Sequence, residues 1–216
     1  MQESKSYKDI IETIEKSFLS LSSSFALVRY YTHNTSTVND KLSNIEISKY
    51  RLSKKNQLFA LENSNLERFL ISSSLRGVFS GTYEGLNNNK TFSGKYKDIL
   101  ARDYDNFFSL VNLLRNLYSH ELTWINHGSI VLKDSDFNGW VNYRKKKELP
   151  NKIEFNVNYS KLLPHLSCPK DYGFEIELNT DNLSSGTSIE QIIELYKQFM
   201  LSELSYNICI TAKNNQ

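Results

Sequence analysis

The feature that most constrains this chain is an apolar stripe between Tyr96 and Leu122. Leu100, Tyr104, Phe107, Phe108, Val111, Leu114, Leu117 and Tyr118 recur at steps of three and four residues, with further apolar residues between them. This is the period of an α-helix. The stripe is wider than a surface helix needs, which places the helix in the middle of a bundle. The rest of the chain must then supply elements that pack around it.

Two such elements precede it. Ile10, Ile11, Ile14, Phe18, Leu21, Phe25 and Val28 predict a long amphipathic helix over about Tyr7–Tyr31. The polar run THNTSTVNDKLSN ends it with turn-forming residues. The pattern from Ile45 to Leu61 is weaker, and the basic residues of YRLSKKN suit an exposed face. A second helix is expected over about Leu58–Phe79, with Leu61, Leu66, Phe69, Leu70 and Leu75 as core candidates. The stretch SGTYEGLNNNKTFSGKYK reads as a loop, because three glycines and three consecutive asparagines oppose regular structure.

Beyond TWINHG the period changes. Ser129–Leu132, Gly139–Arg144, Lys152–Tyr159 and Phe174–Leu178 read as strands. The alternation is clearest in KIEFNVNY, where Ile153, Phe155, Val157 and Tyr159 alternate with polar residues. A closing helix is expected over about Ser188–Leu204, with Thr187 or Ser188 as its cap and Glu190 or Gln191 in its first turn. NICIT is either its frayed end or a last short strand. The predicted architecture is mainly α. It is one domain over residues 1–216, with a helical bundle (about 5–127 and 187–208) and a small antiparallel, β-rich insertion (about 128–180) before the C-terminal helix.

Composition sets bounds on function. A net charge of +2 creates no global demand for nucleic acid, although a local patch can still exist. Two cysteines, Cys168 and Cys209, read as thiols of a reducing compartment. The N-terminal residues lack a signal pattern, and no apolar run approaches the ~18 residues of a membrane span. The expectation is a cytoplasmic protein with no membrane partner. Glycine-rich phosphate loops are missing, as are the HExxH zinc spacing and the G-x-S-x-G nucleophile elbow. The histidines, His33, His120, His127 and His165, form no ligand cluster, so neither cofactor nor metal is expected.

One constellation stands out. LLRNLYSHE, late in the central helix, places Arg115, Asn116 and His120 within six residues. Asn116 and His120 lie four apart and share a face. Arg115 lies about 140° around from His120, within reach of its long side chain. The three suit cleavage of an RNA backbone. Histidine can move the 2′-hydroxyl proton near neutral pH. Arginine can hold phosphate oxygens and stabilise the charge that develops on them. Asparagine can orient either partner. None of these roles needs a metal. The plainer alternative is a structural arginine and a surface or capping histidine, since an Arg–His pair at this spacing also occurs by chance. RYYTH pairs Arg29 with His33 in the same way and reads as a solvent-facing helix end.

RNLYSH, Arg115 to His120, resembles the R-x4–6-H motif of HEPN domains, including the polar residue after the arginine. The resemblance implies a compact helical bundle with the motif late in it. It further implies a metal-independent endoribonuclease, of the kind found in toxin–antitoxin, abortive-infection and RNA-guided immunity systems. It implies a homodimer whose two motifs face each other across a two-fold axis, so that Arg115, Asn116 and His120 of both copies form one cleft. RNA is the implied substrate, and an antitoxin or defence-system protein a possible partner. Members silenced by nucleotidylation carry a tyrosine two residues after the histidine, whereas Leu122 stands there in this chain. The alternative is a non-catalytic HEPN-like module that binds a partner protein or a nucleotide. Arg144, Lys145 and Lys146 in NYRKKK are candidate phosphate contacts, although a solvated turn between strands explains them as well. The aromatics of IEFNVNY can stack bases or pack a core, and LPHLSCP forms neither a metal site nor a thiol catalyst.

Overall fold

The computed structural model describes residues 6–33, 65–119, 134–184 and 186–214. The expected strand Ser129–Leu132 and the weak segment Ile45–Leu61 lie outside these residues. Helix α1, Tyr7–His33, starts at a reciprocal cap: Asp9 N donates to Ser6 Oγ at 3.2 Å and Ser6 N donates to Asp9 Oδ2 at 3.2 Å. Its stripe packs as the period predicts, with Ile10, Ile11, Ile14, Phe18 and Leu21 buried.

Helix α2, Asn65–Asn88, continues nine residues beyond its expected end at Phe79. The stretch read as a loop is therefore a correction, since it holds the end of α2 and most of α3, Lys90–Leu100. The physical reason lies in the spacing. Gly77, Gly81 and Gly85 are four apart and share one face of α2. That face meets α1: a Cβ on Gly81 would lie 3.0 Å from Ile14 Cγ1, and one on Gly85 2.8 Å from Ile10 Cγ2. The glycines thus let two helices approach rather than breaking one. The asparagines also have ordered roles. Asn87 and Asn88 close α2, and the side chain of Asn89 caps α3 by accepting from Phe92 N at 3.0 Å.

The single helix expected over Tyr96–Leu122 is a second correction. α3 ends at Leu100, a 3₁₀ turn covers Ala101–Asp103, and α4 spans Tyr104–Ser119. Ala101 takes φ +47°, a conformation that glycine normally supplies, so nothing in its side chain announced the break. The apolar stripe runs through the break because both helices turn it to the same core. In α4 every residue from Phe107 to Leu114 is buried.

The expected strand Gly139–Arg144 is helical, a third correction: α5 spans Asp134–Lys146. Two anchors dock it on α4. Trp140, fully buried, donates Nε1–H to Ser109 O at 3.0 Å, and Arg144 reaches the hydroxyl of the same serine. Trp140 and Arg144 lie four apart, a helical spacing that a short segment with an internal glycine conceals. The described part of the insertion is thus α5, two paired strands and a short helical turn, Tyr159–Leu162, between them. The hairpin pairs β1, Lys152–Asn158, with antiparallel β2, Gly173–Asn179. Its register opposes Ile153 to Leu178, Phe155 to Ile176 and Val157 to Phe174, and all six side chains are buried. The aromatics of β1 therefore pack a core: Phe155 lies 6.0 Å from Phe107 of α4, centroid to centroid.

The closing helix begins with a separate turn, Ile189–Ile192, and α6 runs from Leu195 to Asn214, so NICIT is helical. The expected cap forms, with Ser188 N donating to Gln191 Oε1 and Gln191 N donating to Ser188 Oγ. α6 ties the layers together. Phe18 of α1 stacks on Tyr206 at 4.5 Å, Tyr96 donates to Ser205 O at 2.6 Å, and Tyr159, just after β1, donates to Met200 O at 2.7 Å. The molecule is mainly α with a small antiparallel sheet, and the buried residues form one continuous core.

The glycine contact separates two effects. Gly85→Ala should lower stability by about 1–2 kcal/mol, because the new methyl group would sit 2.6 Å from Phe92 Cε1 and overpacking outweighs helix propensity. Gly94→Ala has nothing within 4 Å of its Cβ and should raise stability by up to about 1 kcal/mol. Urea unfolding of both variants checks the pair; equal effects of the same sign would show that the packing of Phe92 and Ile10 on Gly85 is not tight.

Candidate functional site

Burial along α4 stops abruptly. Leu113 and Leu114 are fully buried, whereas Arg115 and Asn116 are only partly so. Leu117 and Tyr118 return to the core, where Tyr118 donates to Gln198 Oε1 of α6 at 2.5 Å. Arg115 and Asn116 therefore occupy the one edge of this helix turn that leaves the core. His120, the third member of the constellation, lies outside the described residues, as does Leu122.

Two contacts hold Arg115. Its Nη1 donates to Asn116 Oδ1 at 2.9 Å, and its guanidinium carbon lies 5.1 Å from the ring centroid of Tyr83 on α2. The first contact was not expected, since neighbouring residues on a helix point about 100° apart; the arginine side chain curls back to make it. The second is a cation–π contact that fixes the plane of the guanidinium. Among the described residues no carboxylate pairs with Arg115. Its remaining N–H groups keep their charge and direction for an incoming anion.

Tyr83 is the site residue that sequence reasoning missed, because it falls in the stretch read as a loop. The signal was present: Gly81 and Gly85 flank it at helical spacing, and Tyr83 takes the opposite side of α2. Tyr83 is itself set by Phe108 of α4 at 5.6 Å, and Phe108 by Tyr143 of α5 at 5.5 Å. Burial pushes the Tyr143 phenol up to about 12, with Asp105 adding to the effect, so the hydroxyl stays protonated at neutral pH.

The basic cluster divides. Lys145 and Lys146 are exposed in the last turn of α5 and can meet a phosphate. Arg144 does not lie in a solvated turn, which corrects that reading. It is 3 % exposed, donates Nη1–H to Ser109 Oγ at 2.6 Å, donates Nη2–H to Pro150 O, and lies 5.3 Å from the Trp140 ring. Burial lowers its pKa from the ordinary arginine value. No contact brings it to Arg115: Ser109, its anchor, and Arg115 are six residues apart on α4, about 120° apart around the axis.

Among the described residues no three His, Cys, Asp or Glu side chains converge as metal-ion ligands, and no helix is long and apolar enough to cross a membrane. His165 Nε2 lies 2.9 Å from Thr211 Oγ1 at the surface, Cys168 is partly buried and Cys209 is buried. Compared with models of protein families, with curated proteins and with solved structures, the chain matches none.

The Arg144 anchor gives a stability test. Ser109→Ala removes the hydroxyl that accepts from a buried guanidinium, and should cost about 1.5–3 kcal/mol while leaving the Trp140 bond to the Ser109 carbonyl in place. Chemical denaturation followed by Trp fluorescence measures it; a change below about 0.5 kcal/mol would mean that Arg144 is held by Pro150 and Trp140 alone.

Proposed function

We propose that the chain is a metal-independent endoribonuclease of the HEPN type, with Arg115, Asn116 and His120 as its catalytic residues. The observation that carries this reading is the state of Arg115. It stands at the edge where the central helix leaves the core, its plane fixed by Tyr83 and its orientation by Asn116, with no described carboxylate to neutralise it. A purely structural arginine in a half-buried position would gain most from an acidic partner. This one is held by a ring face and a neutral amide, an arrangement that positions the charge without cancelling it.

The chemistry follows from the residue types. Arg115 holds the non-bridging oxygens of the scissile phosphate and stabilises the extra negative charge of the pentavalent transition state. His120 moves the proton, either from the attacking 2′-hydroxyl or to the departing 5′-oxygen. Attack by the 2′-oxygen on phosphorus expels the 5′-oxygen and leaves a 2′,3′-cyclic phosphate. One motif offers a single histidine for a reaction that moves protons at two oxygens. A homodimer with the motifs opposed across a two-fold axis supplies the second. Lys145 and Lys146 give the RNA backbone additional positive charge from α5. A role in toxin–antitoxin or antiphage defence, in the cytoplasm and with an antitoxin or other defence protein as partner, belongs to the same proposal.

Single-stranded RNA incubated with the protein in EDTA tests it. Cleavage should persist and yield cyclic-phosphate ends. His120→Ala should reduce the rate by about 10²-fold or more, and Arg115→Ala by a similar factor, with fold and oligomeric state retained. If His120→Ala cleaves like the unaltered protein, the catalytic reading fails, and Arg115 and Asn116 become structural or partner-binding residues.

A further inference from the structure

A cleft lies beside α5. Its volume is about 400 Å³, and it is bounded by α5, the segment after it and the turn after β2. This is within the size range of small-molecule sites. Its wall carries Arg144, the most deeply buried cation among the described residues, at 3 % exposure. The two acceptors that hold Arg144, the Ser109 hydroxyl and the Pro150 carbonyl, are both neutral. Among the described residues no carboxylate pairs with it. A guanidinium has five N–H donors, of which these bonds use two. Burying such a charge without a counter-charge is costly, and a bound anion would relieve the cost.

The other walls narrow the ligand. Lys145 adds a second cation beside Arg144, so the cleft is suited to a doubly charged anion. Phe137, Leu149 and Leu183 offer an apolar surface for a planar body. Asp181 also lines the cleft and is steadied by Asn151, whose Nδ2 donates to its Oδ1 at 3.1 Å. A carboxylate repels phosphate but accepts from hydroxyl groups, so it selects a ligand that carries hydroxyls as well as a phosphate. A phosphate for the two cations, hydroxyls for the carboxylate and a flat body for Phe137, Leu149 and Leu183 together describe a nucleoside monophosphate.

We infer that this cleft binds a nucleoside monophosphate, with the phosphate on Arg144 and Lys145, the sugar hydroxyls on Asp181, and the base against Phe137 and Leu149. The same chemistry exists as a free mononucleotide and as the phosphorylated end of an RNA chain. The inference does not rest on RNA cleavage, because Arg115 takes no part in the cleft.

Trp140 reports on the site, since its ring lies against Arg144. AMP titrated into the full-length protein should shift the Trp140 indole N–H signal, assigned with Trp124→Phe. Adenosine, which lacks the phosphate, should bind at least about tenfold more weakly, and so should inorganic phosphate. Lys145→Glu, an exposed substitution whose fold a melting curve checks, should weaken AMP by a similar factor. Arg144→Lys should weaken it further if it folds. Arg115→Ala should bind AMP as the unaltered protein does, which separates this site from the proposed catalytic one. Competition by a 5′-phosphorylated RNA tetramer would assign the cleft to RNA ends, and failure to compete would assign it to free mononucleotides. No shift at millimolar AMP, equal binding of adenosine, or undiminished AMP binding by Lys145→Glu would overturn the inference.

Discussion

The candidate site and the elements beside it are arranged around a helix that has almost no solvent-facing side. From Phe107 to Leu114 each residue of α4 is buried, including Ser109 and Asn112. Such a helix satisfies its own backbone polar groups, so it can be enclosed on all sides without unpaired N–H or C=O groups. The cost falls on its side chains, which must be apolar or fully partnered. α2, α5 and the hairpin are placed by that demand. Phe155 of β1 covers Phe107, and Trp140 and Arg144 of α5 close over Ser109. Polar chemistry is consequently displaced to where the helix emerges, and Arg115 and Asn116 are the first residues to do so.

The two arginines illustrate two ways of placing a cation at the edge of such a core. Arg115 is half-buried, lies on the ring of Tyr83 and bonds an amide. Arg144 is almost wholly buried at the wall of a cleft, lies on the ring of Trp140 and bonds a hydroxyl and a carbonyl. Neither has a described acidic partner. Aromatic faces and neutral acceptors fix where a guanidinium points while preserving its charge. In a chain whose net charge is only +2, local arrangements of this kind, rather than bulk electrostatics, are what can select an anionic ligand.

Much of this was legible in the sequence, for identifiable reasons. α1 and the hairpin were read closely because their patterns have a single interpretation: Ile10, Ile11, Ile14 and Phe18 fit only a helix, and Ile153, Phe155 and Val157 only a strand. The capping pair Ser188–Gln191 was legible because its chemistry is local. The failures share a different cause. Gly81 and Gly85 suggest a helix break by composition, yet their meaning lies in what they touch on α1, which no local pattern carries. The break at Ala101 left no trace because alanine favours the helix it interrupts. Arg144 looked like a surface cation in a basic run, and only the fold shows Ser109 and Trp140 enclosing it. Tyr83 was lost along with its misread helix, and with it the contact that orients Arg115.

The central claim, that Arg115, Asn116 and His120 act on one phosphate from two copies of the chain, depends most directly on how two copies meet. The distance between nitroxide labels attached at Asn116→Cys in the two subunits, measured by pulsed electron resonance after replacing Cys168 and Cys209, reports this. The account predicts a single short distance, with the two motifs opposed across the symmetry axis. A protein that gives no dipolar signal because it is monomeric, or a distance comparable to the width of the whole dimer, would contradict it.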